Sequence, residues 1–372
     1  MTSDPGPQVV VYDNLFAIPG EESYIVATSS NGNEVSVWSI EETPRKVRTL
    51  KNINQPKDVK MVSREKALIL CNRELRLYDL NEGKLVTKMK GVMNQKMPFY
   101  GIIDSTQCIA LSRNRMTVNI MSLETGDLTT TFKVGEDRFL NSLLVSASGS
   151  TCVCGDETQK PFPLLVWDLK ARKLLYDLRF NHHDFITSLS CISDDAHYVV
   201  SVAKEVNTSS PNFIVVYDLQ SGMLFKKWKP EANSTSICIS SKAVVNGIEG
   251  GDLFLWDLST GDKRHVLKGH ESDVDTIRMS GNGKVFLSYD SKANHPVRVW
   301  SVESGQLLHE FTPTSKISCC MLSHQGDRIL YTLDSLNVQS IQLKIQDVVS
   351  KPVSESYGDP ANEGKEFIVT DS

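Results

Sequence analysis

Residues 261–270 read Gly261-Asp262-Lys263-Arg264-His265-Val266-Leu267-Lys268-Gly269-His270, and the run from there to Trp300-Ser301 is one complete structural unit. It opens behind Leu255-Trp256-Asp257-Leu258 and closes on Val297-Arg298-Val299-Trp300-Ser301-Val302, so two alternating runs end alike, 44 residues apart (300 − 256). Apolar residues at every second position mark half-buried strands. Between the two runs lie a Gly-His pair, a Gly-rich turn and a short apolar run. A fixed spacing of this size is the mark of repeats that cannot bury their apolar faces alone and must stack.

The repeat runs through the whole chain. The same apolar, aromatic, Asp-or-Ser, aliphatic run recurs as Val35–Ile40, Leu75–Leu80, Val118–Leu123, Leu164–Leu169, Ile214–Leu219, Leu253–Leu258 and Val297–Val302. Its pivot residues are Trp38, Tyr78, Met121, Trp167, Tyr217, Trp256 and Trp300, spaced by 40, 43, 46, 50, 39 and 44 residues. A weaker eighth copy, Val338–Leu343, has Ile341 at the pivot. Gly stands five residues after the pivot at Gly83, Gly126, Gly222, Gly261 and Gly305, where a hairpin turn needs positive φ. Polar turns of the kind Ser280-Gly281-Asn282-Gly283 and Ser323-His324-Gln325-Gly326 precede each pivot run. Each copy therefore reads as four strands with tight turns.

These phased signals resemble the WD-repeat family of β-propellers, built from four-stranded blades of about 40–45 residues. The literal Trp-Asp pair occurs at Trp167-Asp168 and Trp256-Asp257, with near matches at Tyr78-Asp79 and Tyr217-Asp218. The fold expected is all-β: a WD40-type propeller of eight blades, seven being the alternative, each of four antiparallel strands. The propeller is placed at residues 9–345, behind a leader at 1–8 and ahead of a tail at 346–372, in which Phe367-Ile368-Val369 is a candidate closing strand. Val9-Val10-Val11-Tyr12-Asp13 is expected to be the first strand of blade one.

The resemblance also implies a buried polar chain inside a blade. Mapped onto this sequence it joins His270, Ser288, Asp290 and Trp300 in blade seven, and His182 and Ser201 in blade five. A buried indole N–H needs an acceptor and a buried imidazole needs both nitrogens satisfied, so these histidines are expected to be structural.

Composition narrows the function. The 372 residues carry a net charge of −5 and no basic stripe interleaved with aromatics, so no nucleic-acid partner is expected. No apolar run approaches a membrane span, and the first eight residues lack the charged-then-apolar pattern of a signal peptide. The eight cysteines fall mostly in apolar strand runs, as small hydrophobes. A cytoplasmic protein is expected. Cys152-Val153-Cys154 resembles half a metal site without its other half, so neither a metal nor any cofactor is expected. No phosphate loop, His-Glu-x-x-His or Gly-x-Ser-x-Gly occurs, and no catalytic residue is assigned.

The reading that follows is a monomeric, non-enzymatic scaffold for other proteins. Its candidate contacts lie on loops the fold does not require: His183 and Asp184, residues 204–212, Glu271 and Asp273, and residues 291–295. More loosely, the divergent copies resemble the C-terminal propeller of NACHT and WD-repeat proteins. That resemblance implies a sensor module, with a NACHT-type NTPase chain as partner. A propeller hydrolase would need Asp and His clustered at the channel mouth.

Overall fold

The computed structural model describes residues 10–18, 21–72, 74–92, 99–133 and 137–344. Those residues form 31 strands in eight antiparallel sheets, each a meander whose strands pair in sequence order. Each sheet is one blade: residues 14–49, 58–90, 100–133, 140–178, 183–228, 234–267, 276–311 and 319–342. The first strands of successive blades pack side by side, and that of blade eight (Cys319–Leu322) returns to that of blade one (Asn14–Ile18), closing a ring of eight. Among the described residues seven blades have four strands and blade eight has three. The leader, the tail and Phe367-Ile368-Val369 lie outside the described residues.

The alternation noted in the sequence fills the space between blades. Seven pivots are buried, and Ile341 is partly buried against the core of blade eight. The third strand of each blade sends alternate residues to opposite neighbours. In blade six, for example, Phe254 and Trp256 face the core shared with blade five, while Leu253 and Leu255 face blade seven. Trp228, at the end of blade five, stacks on Trp256 with centroids 5.0 Å apart.

The turn after the pivot shows why Asp follows the aromatic. Asp79 accepts the backbone N–H of Glu82 at 2.7 Å, Asp168 that of Ala171 at 2.7 Å, and Asp257 those of Ser259 and Thr260 at 2.8 and 3.1 Å. Each carboxylate closes an Asx turn in its own hairpin. Gly261 then takes φ 83°. Blade four lacks the glycine, and Arg172 adopts φ 56° in its place.

One strand assignment is corrected. The first strand of blade one is Asn14–Ile18, not Val9–Asp13. The described part of that earlier stretch, residues 10–13, lies across the seam between the last blade and the first. Tyr12 is fully buried there against Trp38, Cys319, Met321 and Leu330. Its carbonyl accepts Thr332 Oγ1 at 3.0 Å, and Arg328 reaches the carbonyl of Glu41 at 3.1 Å. The seam is thus held by side chains inserted between two blades.

Candidate protein-interaction rim

A ring of four-stranded meanders has two rims. Connections from first to second and from third to fourth strand emerge on one; those from second to third strand and from blade to blade emerge on the other. The glycine turns after the pivots and the serine-led turns before the second strands lie on the first. Residues 181–184, 206–212, 271–273 and 291–296 all lie on the second, which we call the loop rim. The candidate contacts therefore share one side of the molecule.

Behind this rim runs the polar thread of blade seven. His270 Nε2 lies 2.7 Å from Ser288 Oγ, and Trp300 Nε1 donates to the same oxygen at 2.8 Å. Burial, together with the charge of Arg298, pulls the His270 imidazole down to about 4, so it is neutral at pH 7. Gly269 has φ 149° against the Arg298 guanidinium; a Cβ there would sit 3.2 Å from Arg298 Cζ.

Asp290 does not join this thread. Its carboxylate turns to the rim, where it accepts Ser272 Oγ, Lys292 N at 2.7 Å and His295 Nδ1 at 2.9 Å. Burial pushes the Asp290 carboxyl up, but the bonds from Ser272 and Lys292 and the charge of His295 outweigh it and hold the group at about 2. The insertion after Ser291 supplies Lys292 and His295, and Asp275 accepts Ser291 Oγ at 2.9 Å. On the blade-six side, Asp273 accepts Gly250 N at 2.8 Å. Three carboxylates therefore pin the loops of blades six and seven, while Glu271, Asp273 and Asn294 stay exposed.

Ser272, His295 and Asp290 are a serine, histidine and aspartate in contact, yet they do not form a relay. Ser272 Oγ (3.2 Å) and Asp290 Oδ2 (2.9 Å) both meet the same ring nitrogen, Nδ1. A relay needs them on opposite nitrogens.

Blade five departs from the expectation by one residue. His182 is exposed and does not reach Ser201; Ser201 instead shares a hydrogen bond of 2.6 Å with Ser190. The buried histidine is its neighbour His183, 7% exposed, with its ring 4.8 Å from Phe180 and 5.3 Å from Phe213. Neither ring nitrogen of His183 has a hydrogen-bond partner among the described residues. His183 opens the first strand of the blade, opposite Glu205, which turns its side chain inward and His182 outward. It therefore offers no free contact surface. Asp184 accepts Phe162 N at 2.7 Å and lies 3.6 Å from Lys160 Nζ, tying blade five to the excursion of blade four.

The register shows what the sequence reading missed. Ser288 stands opposite the residue two before its pivot (Arg298), and the same second-strand position is occupied by Asn246 in blade six and Ser201 in blade five. Asn246 Oδ1 accepts Trp256 Nε1 at 2.7 Å, and its amide donates to Ser234 Oγ at 3.3 Å. A lone Asn within Val244-Val245-Asn246-Gly247-Ile248 was the available signal. Blade four carries Cys154 at this position, and Trp167 Nε1 has no partner among the described residues. Blade one carries Ala27, and there Trp38 Nε1 reaches Tyr12 Oη at 3.3 Å. Tyr12 in turn donates to Glu34 at 2.6 Å, and Lys46 binds the same carboxylate oxygen at 2.6 Å. Tyr78 and Tyr217 use their hydroxyls differently, donating to the carbonyls of Lys51 and Arg179 at 3.1 and 2.6 Å.

No protein-family model matches the chain. Over 175 residues it is 26% identical to Eukaryotic translation initiation factor 3 subunit I of Bombyx mori, covering 44% of this chain and 51% of that protein. Autophagy-related protein 16 of Arabidopsis thaliana is 28% identical over 127 residues, 34% of this chain and 24% of that one. NACHT domain- and WD repeat-containing protein 1 of Mus musculus is 32% identical over 68 residues, 18% of this chain and 4% of that one. The matched stretch thus spans about half of the first relative's length and less of the other two. Among solved structures, the computationally designed Ika8 protein superposes with a TM-score of 0.69 at 16% identity, over 91% of this chain and 98% of that chain. The chain is an eight-bladed β-propeller, and its homologues are WD-repeat proteins. A protein-interaction scaffold is the function class its relatives imply.

Proposed function

We propose that this chain is a non-catalytic, monomeric cytoplasmic scaffold that holds protein partners on its loop rim, in the sector of blades six and seven. The observation that carries this is the pinning of that sector. Asp273, Asp275 and Asp290 each accept a donor from a rim loop, so Glu271 and its neighbours are presented on a fixed surface. A pre-ordered surface binds without the entropic cost of ordering loops. The absence of a relay geometry at Ser272, and thiols of Cys108 and Cys191 that burial pushes up to about 12, support the non-catalytic part. Eight free cysteines fit a reducing compartment. The alternative, a sensor module with a NACHT-type NTPase as partner, has behind it a match of 68 residues, 4% of that relative.

The test is affinity capture of the intact chain from cells, compared with a Glu271→Lys/Asp273→Lys variant and with Glu303→Lys on the opposite rim. Partners lost only from the first variant support the proposal. Partners lost only from the second move the site to the other rim. Equal capture by all three removes this sector as the contact.

A further inference from the structure

We propose that the cleft between blades one and two, on the rim opposite the loop rim, docks a short acidic segment of a partner protein, which inserts one aromatic side chain. This site is separate from the sector of blades six and seven. The cleft has a volume of about 440 Å³, within the range of sites that hold a ligand. Its apolar lining is Ile18, Val37 and Leu80, with Tyr24 and Val47 on the blade-one side. Blade two closes it with the turns at Arg64-Glu65 and Leu80-Asn81.

Register explains why the space is there. Tyr24 pairs with Ser39, the residue after the pivot Trp38, and Tyr198 of blade five pairs with Asp218, the residue after Tyr217. The two tyrosines therefore hold the same place in their blades. Beside each lies the bulge of the fourth strand. In blade five Leu224 pairs with Tyr217 and Lys226 with Val216, so the bulged residue is Phe225, whose ring lies 4.9 Å from that of Tyr198. In blade one Lys46 pairs with Trp38 and Arg48 with Val37, so the bulged residue is Val47. Blade five thus covers its tyrosine with a phenyl ring of its own. Blade one has a valine there, 49% exposed, and no ring stacks on Tyr24 among the described residues. The partner supplies the missing ring.

Charge sets the rest of the segment. The outer strand of blade one, Arg45–Thr49, carries Arg45, Lys46 and Arg48 and no acid. Lys46 is taken by Glu34 at 2.6 Å, and Arg48 donates to the Leu80 carbonyl at 3.0 Å. Arg64 stands at the mouth, exposed and without a hydrogen bond or ion pair among the described residues. Of the two carboxylates at the mouth, Glu21 already accepts Ser23 N at 2.8 Å, which leaves Glu65 against two guanidinium groups. A carboxylate next to the inserted ring meets those guanidiniums, whose planar fork suits it. An aromatic anchor in an apolar pocket carries most of the energy of such a contact.

The test is selection of displayed random dodecapeptides on the full-length chain, followed by fluorescence polarisation of the enriched peptides. We expect those peptides to carry an aromatic residue next to Asp or Glu. Val47→Phe, which gives blade one the ring of blade five, should weaken their binding at least about tenfold. Arg64→Glu should weaken it by about threefold, and by less in high salt. Glu271→Lys/Asp273→Lys should bind them as the unaltered chain does, so failure here and failure of the loop-rim site are told apart. Both Val47 and Arg64 are exposed, and urea unfolding checks that each variant is folded. Should Val47→Phe not fold, Arg64→Glu decides. Four outcomes overturn the proposal. No enrichment means that the cleft takes no peptide. Enriched peptides without the aromatic–acid pair contradict the chemistry. Peptides that bind Val47→Phe unchanged, or are lost only from the Glu271/Asp273 variant, sit elsewhere. A dimer in sedimentation that Val47→Phe dissolves assigns the cleft to a second copy.

Discussion

Blades four and seven have the same meander and the same pivot tryptophan, but not the same interior. In blade seven Trp300 donates to Ser288, which His270 also engages. In blade four the equivalent of Ser288 is Cys154, and Trp167 keeps a buried N–H without a partner among the described residues. Between these two blades, one second-strand position separates a hydrogen-bonded indole from one without a partner among the described residues. The lesson is that the pivot aromatic is general to the repeat, whereas its hydrogen bond is local. Polar groups buried together specify one arrangement, and buried apart they cost stability.

The largest test of this contrast removes the indoles. Trp300→Ala and Trp167→Ala should each cost about 3–5 kcal/mol in urea unfolding, as for a buried aromatic. Trp300→Ala should exceed Trp167→Ala by about 1 kcal/mol, the net worth of its hydrogen bond. Equal losses would break the comparison.

A second effect follows from acid. His270 is held neutral when folded, at about 4, and titrates near 6.5 when unfolded. The unfolded chain therefore binds the proton first. Stability is full above pH 6.5 and declines as pH falls toward 4, by on the order of 3 kcal/mol. His270→Gln should flatten that slope in denaturant titrations run at successive pH values. A slope unchanged by the substitution would mean that another group sets it.

The smallest effect is the sharpest. Exchanging the two deciding residues, Ser288→Cys should cost about 1–2 kcal/mol, while Cys154→Ser should change stability by less than about 1 kcal/mol because Trp167 gains an acceptor. If both cost the same in parallel unfolding curves, the position does not govern the thread.

Much of the fold was legible because the repeat states it several times. The pivots, the glycine turns and the Asx carboxylates recur in phase, and eight copies gave eight blades. What failed was single-residue phase. His182 and His183 are adjacent, and in a strand a slip of one residue exchanges the inner face for the outer. Val9–Asp13 misled for another reason: a run of valines imitates a strand, whereas the first strand begins at Asn14 and Tyr12 fills the seam. Asp290 was assigned by analogy to a thread that the insertion after Ser291 draws it away from. The sector of the rim was visible as dispensable loops. Its rigidity was not, because Asp273, Asp275 and Asp290 find donors on loops up to 23 residues away in the chain.

The seam has a consequence for how the molecule is made. Thr332, which binds the Tyr12 carbonyl, is synthesised 320 residues after it. Blades one to seven can pair strands as they appear, since each is a local meander. The ring itself can shut only once blade eight exists. Until then Tyr12 and the apolar flank of blade one stay uncovered, so the growing chain carries an adhesive surface while the intervening blades are made. The slow step should be this final long-range contact, whose distance in sequence dominates the cost of closure. Substitutions at Tyr12 should therefore lower the yield of soluble protein more than they lower the stability of whatever ring has closed.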